Sequence, residues 1–212
     1  MGKLDRLKRA AAEIVAILGQ IAEYSDARIA VIGGLAVWKY FPLGRETQDI
    51  DFIINIDSAP KSVKTKLLAL HNSPFIQQAD YFLYNDHQGD PIQVDLTPAF
   101  QSPYLPAAAQ RLDSIPAGSV PYISPTDLLM FKMHSCGLRG DADKREQDAK
   151  DAETLLGAMT TPPTLTHHQQ QLAELNVADV VTYGTRSEDW WRRKLGLPLN
   201  TRAGPIPTMM EL

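Results

Sequence analysis

Cysteine is nearly absent from this chain. Cys136 is the single one in 212 residues, which excludes an intrachain disulfide framework and a multi-cysteine zinc site. Long apolar runs are missing too. No stretch approaches the roughly 18 residues of a membrane-spanning helix. Near the N-terminus Glu13 breaks the apolar run, no small-residue cleavage site follows, and Arg6 stands where a myristoylation signal has Ser or Thr. The expectation is a soluble cytoplasmic protein with no membrane partner. Positive charge is also in deficit: 21 Lys and Arg face 25 Asp and Glu, a net charge of −4. Non-specific nucleic-acid binding runs on basic residues against phosphates, so this sign argues against a long nucleic acid as partner. There is no internal repeat and no low-complexity tract.

What remains is ordinary globular composition, with 44% hydrophobic and 22% charged residues. A chain of this length buries enough apolar surface to fold without a disulfide or structural metal. Apolar residues recurring at three and four predict a helix over Leu4 to Tyr24. Arg28 to Ile32 reads as a strand ending at Gly33-Gly34, with a helix over Leu35 to Tyr40. Strands are predicted over 50–56, 81–84, 92–97 and 120–123, with a helix capped by Ser58 running to Leu70. Ser124-Pro125 then opens a run of helices over 125–138, 141–159, 164–176 and part of 177–194. The order gives an α+β core over 1–123, a helical subdomain over 124–197 and a Pro/Gly-rich tail over 198–212.

The informative segment is Ile29 to Ile54. Asp49 and Asp51 flank Ile50 at the start of a strand. Alternate strand residues face the same way, so the two carboxylates project side by side. They repel unless a cation neutralises them, and hard divalent ions take such oxygen ligands. A solvent-facing strand end fits the same pattern. Gly33-Gly34, at a strand-to-helix turn, offers bare backbone N–H groups to a phosphate, or simply makes the turn. Asp95 interrupts an apolar strand, where a carboxylate needs a partner. It joins the other two if its strand lies beside theirs; otherwise it is an edge-strand surface residue.

Strand, Gly-Gly, helix, Thr-x-Asp-Ile-Asp on a second strand and a lone Asp on a later one resembles the polymerase-β-like nucleotidyltransferase superfamily. Minimal nucleotidyltransferases and the abortive-infection toxin type look most similar. The resemblance implies a small mixed sheet flanked by helices. It implies transfer of a nucleoside monophosphate from an NTP, such as ATP, to a hydroxyl, with release of pyrophosphate. Asp49, Asp51 and Asp95 would hold two Mg²⁺ or Mn²⁺ ions, and Asp95 would also orient the acceptor hydroxyl. Gly33 and Gly34 would cradle the nucleotide phosphates. Arg45 and Thr47 would brace the site or reach the nucleotide. Lys132, within an apolar helix, would contact the triphosphate, with Arg139 beside it. Asp148 and Asp151, three apart on the next helix, share a face and could hold Lys132 or Arg139 in place. The acceptor is left open among a small molecule, a protein side chain and an RNA end.

Lys132 also fits a snorkelling lysine, and the two aspartates a solvated helix face. His167 and His168 face different ways and make no zinc pair. Cys136 reads as a core thiol. Trp190-Trp191 with Arg192, Arg193 and Lys194 is the only basic aromatic patch; it reads as an anchoring helix or a base-stacking surface. Rival functions are a glycosyltransferase, whose Asp-x-Asp expects a larger preceding domain, a repurposed site acting on another metabolite, and a non-catalytic antitoxin-like module.

Overall fold

The computed structural model describes residues 2–199, and most of the stretch predicted as a tail lies outside them. Helix α1 spans Lys3–Gly19 and a short 3-10 turn follows. Strand β1, Arg28–Ile32, runs directly into helix α2, Gly33–Tyr40. Strand β2, Asp49–Ile54, and helix α3, Lys61–Leu68, precede three strands: β3 Phe75–Gln78, β4 Tyr81–Asn85 and β5 Pro91–Pro98. A two-residue strand, β6 Gln110–Arg111, ends this half. Four helices follow: α4 Pro125–Leu138, α5 Ala142–Ala158, α6 His167–Tyr183 and α7 Glu188–Leu195.

The six strands form one mixed sheet in the order β3-β4-β5-β2-β1-β6. Only β2 and β5 run parallel; the other pairs are antiparallel. Strand alternation gives this sheet two different faces. Ile50, Phe52, Ile92, Val94 and Leu96 are buried on one side. Helix α1 covers that side, burying Leu7, Ile14 and Leu18, and its Glu13 accepts a hydrogen bond from Tyr84 of β4 at 2.6 Å. Each fully buried Leu or Ile of this layer contributes about 1.5–3 kcal/mol. The opposite face carries Asp49, Asp51, Gln93 and Asp95. One continuous core then runs from the sheet into α4, α5 and α6 through Leu128, Leu129, Leu155 and Val177.

Several predicted boundaries move. The helix expected from Ser58 begins at Lys61, because Pro60 occupies the capping position and its missing N–H is not needed there. Ser58 instead accepts a hydrogen bond from the Ser62 hydroxyl at 2.6 Å. The strand expected over 120–123 is a single bridge from Tyr122 to Val31, since the first half of that β1 edge is already taken by β6. Strand β3 was not foreseen. It pairs with β4 through Ala79, a non-glycine residue at φ 50°, so the usual Gly or Asn signal of a tight hairpin is missing. Helix α6 passes Asn176 to Tyr183, as nothing at 176–177 breaks it. Ser124 caps α4 as expected, its side chain accepting from the Asp127 N–H.

Candidate functional site

The parallel pairing of β2 with β5 decides how the acids meet. Asp51 lies opposite Asp95 and Asp49 opposite Gln93. Register partners share a sheet face, about 4.8 Å apart, and the step along β2 is about 6.6 Å. Asp49, Asp51 and Asp95 therefore stand on one face. They line a single cleft of about 690 Å³ with Gly33, Gly34, Arg45, Thr47, Lys132, Arg139 and Asp148.

Asp51 is the centre of this group. Burial pushes its carboxyl up from 3.8 to about 7; Asp49 and Asp95 add to that, while Lys132 and the Gly34 N–H oppose it. Three acids are crowded with too little positive charge. Each is turned to a donor of its own: Asp51 accepts from the Gly34 N–H at 3.4 Å, Asp95 from the Gln93 amide at 2.8 Å, and Asp49 from the Thr47 hydroxyl. Among the described residues no three His, Cys, Asp or Glu side chains form a ready-gathered metal group. The donor set itself, three hard carboxylates with one forced towards neutrality, suits a hard divalent cation.

The glycines are required by close approach. Gly33 sits at φ +62°, and a Cβ there would meet Asp51 Oδ2 at 1.8 Å. A Cβ on Gly34 would meet Thr47 Oγ1 at 2.6 Å. The pair thus lets the first turn of α2 pass against Asp51, and the Gly34 N–H faces that carboxylate.

The helical half presents a cationic counterpart. Lys132 is 6% exposed and reaches Asp148 at 2.6 Å and Asp151 at 2.9 Å. Burial acts to lower its pKa, but the two aspartates outweigh it and hold it raised. Arg45 grips Asp151 with two hydrogen bonds, at 2.8 and 2.7 Å. Burial pushes the Asp151 carboxyl up, but Arg45 and Lys132 prevail and it is lowered. Arg139 meets Asp148 at 3.1 Å. Asp151 is the one predicted residue set behind the cleft wall rather than on it. Lys132 is neither snorkelling nor free: its ammonium is committed to two buried carboxylates. Arg45 and Thr47 brace acids.

Sequence reasoning missed Gln93, Lys64, Lys144 and His134, all of which line the cleft. Gln93 was visible in principle, since it precedes Asp95 by two on the same strand. Burial lowers the His134 pKa. The tryptophan patch is structural. Trp191 is fully buried, and Arg192 is held by Glu174 at 3.0 Å and Glu188 at 2.7 Å. Cys136 is buried, and burial lifts its thiol to about 11. No described helix is long and apolar enough to cross a membrane.

No protein-family model and no curated protein sequence matches the chain. Among solved structures, an antigenic nucleotidyltransferase-like protein from Paracoccidioides brasiliensis aligns at 17% identity and a TM-score of 0.48, over 85% of this chain and 95% of that one. The antibiotic-resistance factor ANT(2'')-Ia aligns at 16% identity and a TM-score of 0.43, over 83% of this chain and 95% of that one.

Proposed function

We propose that this chain is a nucleotidyltransferase. It moves a nucleoside monophosphate from an NTP to a hydroxyl acceptor and releases pyrophosphate. The observation that carries the reading is the row of Asp49, Asp51 and Asp95 on one sheet face, facing cationic side chains across one cleft. No structural need is met by crowding three acids until one is forced up to about 7.

Asp49, Asp51 and Asp95 are the residues that would hold Mg²⁺ or Mn²⁺. Bound there, the ions supply charge neutralisation for the attacking and leaving oxygens. The protein's part is position and charge. Asp95, on β5 beside the strand that carries the other two acids, takes the proton of the acceptor hydroxyl. The hydroxyl oxygen then bonds to the α-phosphorus while the bond to the bridging oxygen breaks. Lys64, Lys144 and Arg139 line the cleft and offer charge to the triphosphate. Lys132 and Arg45 act one step removed, fixing the wall and moderating the acids. Thr47 and Gln93 hold Asp49 and Asp95 in orientation.

The test uses melting curves of wild type and Asp51→Asn with Mg²⁺ or Mn²⁺ and each NTP. A ligand that binds only the folded state raises the melting temperature. Wild type should respond to a metal–NTP pair and Asp51→Asn should not. Pyrophosphate release should follow the same pattern. A wild type indifferent to every pair sinks the transferase reading and leaves the acids to a repurposed or non-catalytic module.

A further inference from the structure

A second, smaller cavity of about 420 Å³ opens on the far side of Asp49. It lies within the range of small-molecule sites, about 300–1,000 Å³. Its floor follows from the register: Leu83 of β4 lies opposite Gln93, and Gln93 lies opposite Asp49, so the three share the acid face of the sheet. Glu46, Thr47 and Gln48 wall it. Thr47, Asp49 and Gln93 line both cavities, so they form the partition between them. Two of those partition residues also hold the acids: Thr47 donates to Asp49, and Gln93 donates to Asp95 at 2.8 Å.

We infer that this cavity is the acceptor pocket, and that the acceptor is a polyhydroxylated small molecule that is neutral or carries an amine. The assignment rests on the nucleotidyl-transfer reading above. Asp95 lines the neighbouring cleft, so a molecule seated here reaches it by extending one hydroxyl past the Asp49–Gln93 partition. The lining chemistry sets the class. The Gln48 and Gln93 amides each offer donors and an acceptor, which matches hydroxyl groups. Leu83 gives an apolar floor for a ring's C–H face. No Lys or Arg lines the cavity among the described residues, and Lys3, which does not line it, is already paired with Glu46 at 2.9 Å. A phosphorylated acceptor or an RNA end would face Asp49 and Glu46 with no cation in the lining to receive it, and like charges so placed repel.

The experiment uses the full chain with Mn²⁺ and NTPs labelled at the α-phosphate. The probes are glucose, glucosamine, glucose 6-phosphate and a short RNA. Transfer to glucose or glucosamine should exceed transfer to glucose 6-phosphate and RNA by about tenfold or more. Leu83→Trp fills the floor while leaving every acid and its hydrogen-bond donor in the sequence. It should cut sugar labelling about tenfold while the metal–NTP rise in melting temperature stays as in wild type; Leu83→Phe serves if the tryptophan variant does not fold. Preference for glucose 6-phosphate or RNA overturns the assignment. So does an unchanged rate in the filled variant, or a wild type that responds to metal–NTP but labels neither sugar. A wild type with no metal–NTP response overturns the transferase reading itself, and the pocket assignment falls with it.

Discussion

Replacing Lys132 by methionine removes the cation that neutralises two buried acids. The side chains involved are almost sealed from water: 7% exposed for Lys132 and 4% each for Asp148 and Asp151. Removing one partner of a buried pair costs about 3–5 kcal/mol, because the charge left behind is uncompensated. Here two acids are left behind, but neither is bare. Asp151 keeps its two hydrogen bonds from Arg45, and Asp148 keeps Arg139, whose side chain is 48% exposed. The expected loss is therefore near the lower end, about 3 kcal/mol. At this chain length each kcal/mol moves the melting temperature by about 2–4 °C, so a fall of about 6–12 °C is expected. Urea titration at neutral pH reads the loss as a lower midpoint with unchanged slope. Adding Asp148→Asn to Lys132→Met should recover about 1–2 kcal/mol, since one of the stranded charges is gone. If Lys132→Met unfolds within about 0.5 kcal/mol of wild type and loses nucleotide binding, the lysine is a free phosphate ligand and the buried-network reasoning is wrong.

Three further outcomes are expected. In metal-free protein with EDTA, Asp51→Asn should be more stable than wild type at pH 8. The raised carboxyl destabilises the fold increasingly from pH 3.8 to about 7; a change of three pH units is about 4 kcal/mol, and the residual solvent contact of Asp51 reduces the expected gain to about 2. Below about pH 4 the two proteins should converge in denaturant titrations, and a variant less stable at pH 8 would contradict the crowding of the acids. Gly33→Ala should cost at least about 1–2 kcal/mol for its left-handed backbone alone and should displace Asp51, so the metal–NTP thermal response should vanish with the loss of stability. Tyr104→Phe removes a hydrogen bond to Asp127 at 2.9 Å and one from Gln169 at 3.1 Å; about 1–2 kcal/mol should be lost with the metal–NTP response intact.

Much of the sheet half was legible because its signals are local. Alternation placed Asp49 and Asp51 on one face, and the β-branched runs located β1, β2 and β5. Ser124-Pro125 and Asp141 announced the starts of α4 and α5, where side-chain oxygens accept from the first-turn N–H groups. What was hidden depends on partners far away in sequence. The pairing of β2 with β5 cannot be read from either strand, so the place of Asp95 was conditional on it. Strand β3 hides behind a turn without glycine. The commitment of Lys132 to Asp148 and Asp151 was foreseen as a contact. Its burial was not, because a lysine in an apolar helix looks the same whether its amine reaches water or a carboxylate.

The hydrogen bond from Arg45 to Asp151 spans 106 residues of chain. It ties the loop ahead of the carboxylate strand to a helix made much later during synthesis. A ribosome likewise releases β2 and β5, and with them the three acids, before α4, which carries Lys132, and α5 exist. During that interval the acids lack Lys132, among the described residues the side-chain cation that opposes the raised Asp51 carboxyl. The cleft acquires its working electrostatics only when the C-terminal helices dock. A premature stop after β6 would leave a fragment holding the three acids without Lys132, Arg139 or Asp148 of the cleft's other wall.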